Sequence, residues 1–210
     1  MEGLYETFHL TYVLLLTTAT ITIIEALRTT NPMVRHILNL ETCISIVACY
    51  FYSVFLEKIK GPYTWPEITK IRYLDWAITT PMMLLAVCLA LAYNNGLHLH
   101  LSLILTVVAL NYTMLVVGYL GETNRLPRLQ ASLIGFIPFF FMFWLIYGLV
   151  GKSLANRVLF GLYFLVWSMY GVVYLLDEET KQITTNLLDL MSKCVIGLGL
   201  WAYYTQIVVA

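Results

Sequence analysis

The sequence predicts an all-α membrane protein, a bundle of seven transmembrane helices. Three observations predict it. Of 210 residues, 60% are hydrophobic and only 11% charged, whereas a soluble domain carries about 25% charge, and the mean hydropathy is +0.79. The apolar residues fall into seven runs, each near the roughly 20 residues that span a hydrocarbon core. The breaks between runs are short, which makes consecutive helices antiparallel neighbours.

Taken in order, the first run predicts α1 over about 8–27, closed by Arg28-Thr-Thr-Asn-Pro32. The second, α2 at about 33–56, ends before Glu57-Lys-Ile-Lys-Gly61. α3 covers about 70–92 and ends at Tyr93-Asn-Asn-Gly96, and α4 covers about 98–120, closed by Gly121-Glu-Thr-Asn. α5 covers about 128–150, where Gly151-Lys-Ser breaks the run, and α6 covers about 154–176, ended by Asp177-Glu-Glu-Thr-Lys181. The last run, about 183–208, predicts α7. Only the α2–α3 connection is long, and its Gly61, Pro62 and Pro66 predict an ordered excursion. The whole of 1–210 is expected to form one up-and-down domain.

Several classes are excluded. Lys and Arg number 12, as do Asp and Glu, so no basic surplus suggests nucleic acid. Cys43, Cys49, Cys88 and Cys194 all lie in apolar runs, as small packing residues rather than a disulfide framework or metal site. Asn111-Tyr-Thr fits a glycosylation pattern but falls mid-helix. The start, MEGLYETFHL, is acidic, and no small-residue cleavage site follows the first run, which is therefore expected to be α1 itself and not a leader. The N-terminal tail holds Glu2 and Glu6 and no base, while the α1–α2 loop holds Arg28 and Arg35, which predicts an extracellular N-terminus. The later loops, with Lys58, Lys60, Lys70, Arg125, Arg128 and Lys181 on the outer side, point the other way.

The informative residues are ionisable groups inside the runs, since each costs roughly 2.5–3.5 kcal/mol to insert and marks a functional position. They are Glu41 on α2, Arg72 and Asp75 on α3, and Asp189 and Lys193 on α7. Asp189 and Lys193 are one turn apart on one helical face. Two readings of Lys193 stand: an ion pair that holds helices together, or a buried amine of the kind that forms Schiff bases.

Three motifs favour the second reading. Arg72-Tyr-Leu-Asp75-Trp76-Ala-Ile-Thr79-Thr80-Pro81 resembles the third-helix signature of microbial (type 1) rhodopsins. Asp189-Leu-Met-Ser-Lys193 resembles their seventh-helix motif, whose lysine carries retinal, and Trp167-Ser-Met-Tyr170 resembles their sixth-helix pocket motif, with Gly171 where many members have proline. The resemblance covers the whole chain and is strongest to the second group of giant-virus rhodopsins. It implies a microbial rhodopsin-like bundle, an extracellular N-terminus, all-trans retinal as a covalent Schiff base on Lys193, and a homo-oligomer, pentamers being frequent in the family. It also implies that Met83, Met114 and Gly118 line the pocket, with plain packing as the alternative, and that Thr80 and Asn111 form an interhelical polar pair, with a generic packing amide as the alternative at Asn111.

The charges fit that chemistry. One cation on Lys193, Arg72, and two carboxylates, Asp75 and Asp189, sum to zero, as a low-dielectric site demands. Trp76 and Trp167 are flat surfaces suited to a polyene, and Tyr170 can bond Asp189. Asp75, paired with Thr79, is the expected proton acceptor. The family's usual donor position on this helix is Ala86, so the expected substitute is Glu41, which alignment of Tyr52 with the family's pocket tyrosine puts beside that position; a structural role for Glu41 is the alternative. Glu25, Arg28 and Arg35 are expected as interfacial ion pairs. Asp177, Glu178 and Glu179 are expected on a solvated loop face, with membership of a proton-release group as the other reading.

A light-driven outward proton pump, a translocase and not an enzyme, fits these residues best. A light-gated cation channel is the alternative, although the face of Glu41 continues with Ser45, Ala48 and Cys49 and not with a file of acids; Ser45 can still line a narrow water path. A photosensor requires a partner to carry its output, and a receptor or transporter without chromophore explains Lys193 poorly. Sodium pumping favours polar groups in place of Thr79 or Ala86, and chloride pumping replaces Asp75.

Overall fold

The computed structural model describes residues 2–206, and among them seven helices are long and apolar enough to cross a membrane. They are α1 Glu2–Arg28, α2 Pro32–Lys58, α3 Trp65–Asn94, α4 Leu101–Glu122, α5 Arg128–Tyr147, α6 Leu154–Val173 and α7 Glu178–Tyr204. The protein is an integral multi-pass membrane protein. Within α7, an α-helical Glu178–Asp189 passes through a π-helical turn, Leu190–Val195, into Ile196–Tyr204.

The helix ends differ from the apolar runs for identifiable reasons. α1, α3 and α7 begin earlier, because polar residues ahead of each run form helical first turns. At α3, the Thr64 amide and hydroxyl both donate to Glu67, at 3.0 and 3.1 Å, a capping-box arrangement. Pro66 sits in that first turn, where a missing N–H costs nothing. The expected excursion between α2 and α3 is therefore only a turn over 59–64. At α7, Asp177 accepts from the Thr180 amide at 3.1 Å, and the bonds from Thr180 hold its carboxyl below the ordinary value.

α5 and α6 stop at Tyr147 and Val173, short of the predicted ends. There the backbone tightens to three-residue bonds, as from Leu149 to Ile146 at 2.9 Å and from Leu175 to Val172 at 3.1 Å. α4 starts at Leu101 because His98–His100 are non-helical. α7 closes at Tyr204, and Gln206 has a φ of 57°. The predicted residues 207 and 208 lie outside the described residues.

Lipid-facing flanks and interior are sorted by side chain. Leu105, Val116, Ile137, Trp144 and Leu165 are exposed on α4, α5 and α6, as a hydrocarbon surround permits. Inside, one apolar cluster gathers Leu84, Phe139, Phe143 and Trp167, and another gathers Phe8, Tyr52 and Phe55. Buried with them are Arg72, Asp75, Asn186, Asp189 and Lys193, a polar seam at mid-bundle.

The two ends of the bundle are closed differently. The end opposite the N-terminus is tied by amides: Asn94 donates to Asn156 at 2.8 Å, Tyr204 to Asn94 at 3.1 Å, and Asn156 to the Leu91 and Val150 carbonyls. Arg28 pairs with Glu25 at 3.9 Å, as expected at an interface. Arg35 instead donates to the Ala26 and Thr29 carbonyls and so caps the last turn of α1. At the N-terminal end, Lys181 bonds Glu122 at 2.8 Å and Glu178 at 3.0 Å, and Arg128 contacts both acids. Lys181, expected in an outer loop, is thus buried in the first turn of α7, and Glu178 is ion-paired and not simply solvated.

Candidate functional site

α3 and α7 supply most of the site, and α2 and α6 complete it. α7 carries Gln182, Asn186, Asp189 and Lys193 at steps of four, three and four, a single face. α3 carries Arg72, Asp75 and Thr79 on a facing stripe, and α2 brings Tyr52. All of these are buried.

Lys193 is the meeting point. Its Nζ donates to Asp75 Oδ2 at 2.8 Å and to Asp189 Oδ2 at 3.3 Å. The two carboxylates are held differently. Asp75 also takes the Thr79 hydroxyl, at 3.3 Å, a hydroxyl that bonds the Asp75 carbonyl at 2.9 Å as well. Asp189 is shared more widely: Tyr170 donates to Oδ1 at 2.6 Å, while Tyr52 at 2.9 Å and Arg72 at 3.2 Å share Oδ2 with Lys193. Asp189 is therefore fixed by four donors on four helices, and Asp75 answers chiefly to Lys193.

Arg72 completes the charge balance. Its Nη2 donates to Asn186 at 2.7 Å and Gln182 at 2.9 Å, and its Nη1 to Tyr52 at 3.0 Å. Its guanidinium carbon lies 4.6 Å from the Phe55 ring centre and 5.4 Å from that of Phe8, a cation–π cage in a dry interior. Two cations and two carboxylates leave the buried cluster neutral, which offsets the cost of taking each charge out of water.

Beside Lys193 runs a cavity of about 140 Å³ between α3, α4, α5, α6 and α7. Trp76, Met83, Met114, Phe139 and Trp167 are among its walls. Trp76 stands edge-on to Tyr170, with ring centres 5.5 Å apart. Two glycines keep the walls close: a methyl on Gly118 would come within 2.7 Å of the Tyr73 hydroxyl, and one on Gly171 within 2.5 Å of the Phe136 ring. The cavity is a largely apolar slot with a buried amine, balanced by two acids, in its wall. Such an amine can take a carbonyl compound covalently and keep a proton that Asp75 is placed to accept.

The sequence-derived candidates fall into four groups. Asp75, Asp189, Arg72 and Lys193 form the cluster. Trp76, Thr80, Met83, Met114, Gly118, Trp167 and Tyr170 line the cavity together with Arg72, Asp189 and Lys193. Thr79 and Asn111 stand behind it: Thr79 on Asp75, and Asn111 donating to Thr80 at 2.8 Å, the interhelical pair that was expected. Glu41 stands apart, 1% exposed on α2, with its carboxyl against Gly197. Gln182 and Asn186 escaped sequence reasoning because they are uncharged, although their spacing from Asp189 and Lys193 was a signal. Ser192, 3.0 Å from the Tyr170 hydroxyl, was missed as well.

Comparison with known proteins is consistent across sequence and structure. A family model described as bacteriorhodopsin-like protein matches residues 4–207. The green-light absorbing proteorhodopsin of Gamma-proteobacterium EBAC31A08 is 27% identical over 175 residues, a match that covers 72% of this chain and only 65% of that relative's own length. The crystal structure of viral rhodopsin OLPVRII is 42% identical, with a TM-score of 0.94 over 97% of this chain and 98% of that one. The light-driven proton pump of Coccomyxa subellipsoidea, 21% identical, shares the fold, with a TM-score of 0.80 over 95% of this chain and 96% of that one.

Proposed function

The chain belongs to the bacteriorhodopsin-like family, as a microbial rhodopsin similar to viral rhodopsins, and from that premise we propose that it is a light-driven outward proton pump with retinal held on Lys193. The observation that carries the reading is the 2.8 Å pair between Asp75 and the Nζ of Lys193, a residue that lines a largely apolar cavity.

Retinal, the chromophore that the family implies, fits that cavity. Aromatic and methionine walls suit a polyene, Gly135 adds no side chain to the slot, and polar groups gather where an aldehyde would meet the amine. Bound as a Schiff base, all-trans in the dark, it supplies light absorption and an isomerisation that moves the Lys193 nitrogen relative to its acids.

The chain's own residues supply the direction. Asp75 accepts the proton from Nζ, since it is the nearer acid and the less encumbered one. Asp189, bound by Arg72, Tyr52 and Tyr170, remains a fixed negative charge. Glu41 returns a proton from the opposite side of Lys193, as the buried acid on α2. With the N-terminus extracellular, Asp75 and Arg72 lie toward the outside and Glu41 toward the cytoplasm, and net transfer is outward.

Photocurrent across a bilayer at zero voltage with identical solutions on both sides tests this. A pump drives a steady current in one direction. A light-gated channel carries none under those conditions, and its current reverses with an imposed gradient, an outcome that would replace the pump with the channel.

A further inference from the structure

Ser45 departs from a pattern that many hydroxyls of the bundle keep. Many hydroxyls inside these helices settle on the carbonyl one turn back, as Thr17, Thr18, Thr22, Thr42 and Thr106 do, and others bond across to a neighbouring helix, as Thr11 and Ser132 do. The Ser45 hydroxyl is fully buried and has no hydrogen-bond partner among the described residues, and the same holds for Glu41 Oε1. Two such oxygens one turn apart on one helix are exceptional, because each costs about 1–3 kcal/mol when left unmade.

The register of α2 against α7 shows where they point. A methyl built on Gly197 would come within 2.9 Å of Glu41 Oε2 and 3.3 Å of the Thr18 methyl, so the carboxyl lies on the bare backbone of that glycine. Gly197 is one turn beyond Lys193. α2 and α7 run antiparallel, so the step from Glu41 forward to Ser45 matches the step from Gly197 back to Lys193. Ser45 therefore stands one turn from Glu41, at about the level of Lys193.

We propose that Ser45 is a proton relay between Glu41 and Lys193, joined to Glu41 Oε1 through one buried water, and that Gly197 positions the Glu41 carboxyl for it. Buried waters occupy sites of this kind, between polar atoms that the protein leaves unpaired. The transfer conserves every atom. Glu41 gives its carboxyl proton to the water, the water passes one of its own to Ser45 Oγ, and the serine hydroxyl proton reaches the Lys193 nitrogen through a second water, since the two groups share no direct hydrogen bond. Glu41 is left a carboxylate, and a proton from the Glu41 side of the bundle restores it.

The inference rests on Glu41 as donor, and the test separates the two. Full-length protein carrying all-trans retinal is followed after a flash, and the carboxylic C=O stretch of Glu41 is read by infrared difference spectroscopy. Ser45→Ala should slow the late reprotonation step about tenfold, a part of the roughly 10²–10⁴-fold that a positioned acid contributes. It should also shift the Glu41 band, azide should restore the rate, and Ser45→Thr, which keeps a hydroxyl, should stay near wild type. Gly197→Ala should move the same band and slow the same step. A slow Glu41→Gln beside a Ser45→Ala of normal rate and unmoved band would overturn the relay and leave the donor standing. So would a Ser45→Thr as slow as Ser45→Ala. A Glu41→Gln of normal rate would overturn both.

Discussion

Replacing Arg72 with glutamine tests the charge balance on which the site depends. Arg72 Nη1 lies 3.2 Å from Asp189 Oδ2, and at an effective dielectric constant of about 20 that attraction is about 5 kcal/mol. Dehydrating the guanidinium cancels part of it, whereas its removal leaves two carboxylates facing Lys193 alone. Breaking a buried pair from one side costs about 3–5 kcal/mol, and Arg72→Gln should destabilise the protein by that amount in equilibrium unfolding from mixed micelles. Asp189→Asn in the same background restores neutrality, so the double variant should recover much of the loss. The coupling energy should exceed about 1 kcal/mol, above the ~0.6 kcal/mol typical of a neutral interhelical hydrogen bond in a membrane. An Arg72→Gln within about 0.5 kcal/mol of wild type, in the range of an inconsequential surface change, or a coupling near zero, would refute the reasoning.

Other residues make separate predictions. Lys193→Ala with all-trans retinal should give no visible pigment, and a coloured variant with retinal still covalently attached would refute the attachment site. Asp75→Asn should shift absorption to the red and stop proton transfer from the Lys193 nitrogen, measured by flash spectroscopy; acidification that protonates Asp75 should reproduce the red shift in the wild type. If Asp75→Asn pumps at the wild-type rate, Asp189 is the acceptor. Asn111→Leu loses the 2.8 Å bond to Thr80 and should cost about 1–2 kcal/mol in the same unfolding assay, with the pigment still formed.

Some of this was legible in the residues and some was not, for physical reasons. The seven helices stood out because a chain in lipid must be apolar over a whole span, and length alone then counts them. Their ends did not, because Thr64, Glu67 and Asp177 extend helices by capping, which an apolar run cannot register. Asp75, Arg72, Asp189 and Lys193 were conspicuous because charge inside a span is rare. Gln182 and Asn186 bind Arg72 yet are neutral, so only their spacing marked them. The Lys181–Glu122 pair joins residues 59 apart in sequence, and both looked like loop charges because nothing local reveals such a partner. The π-helical turn that carries Lys193 left no mark in composition.

The central claim is that the buried Lys193–Asp75 pair moves protons out of the cell. Its most direct measurement is the external pH of a suspension of cells that express the protein with retinal, before and during illumination. The medium should acidify in light, the change should collapse with a protonophore, and Asp75→Asn should show none. Light that leaves the medium unchanged, or an acidification that persists in Asp75→Asn, would contradict the account.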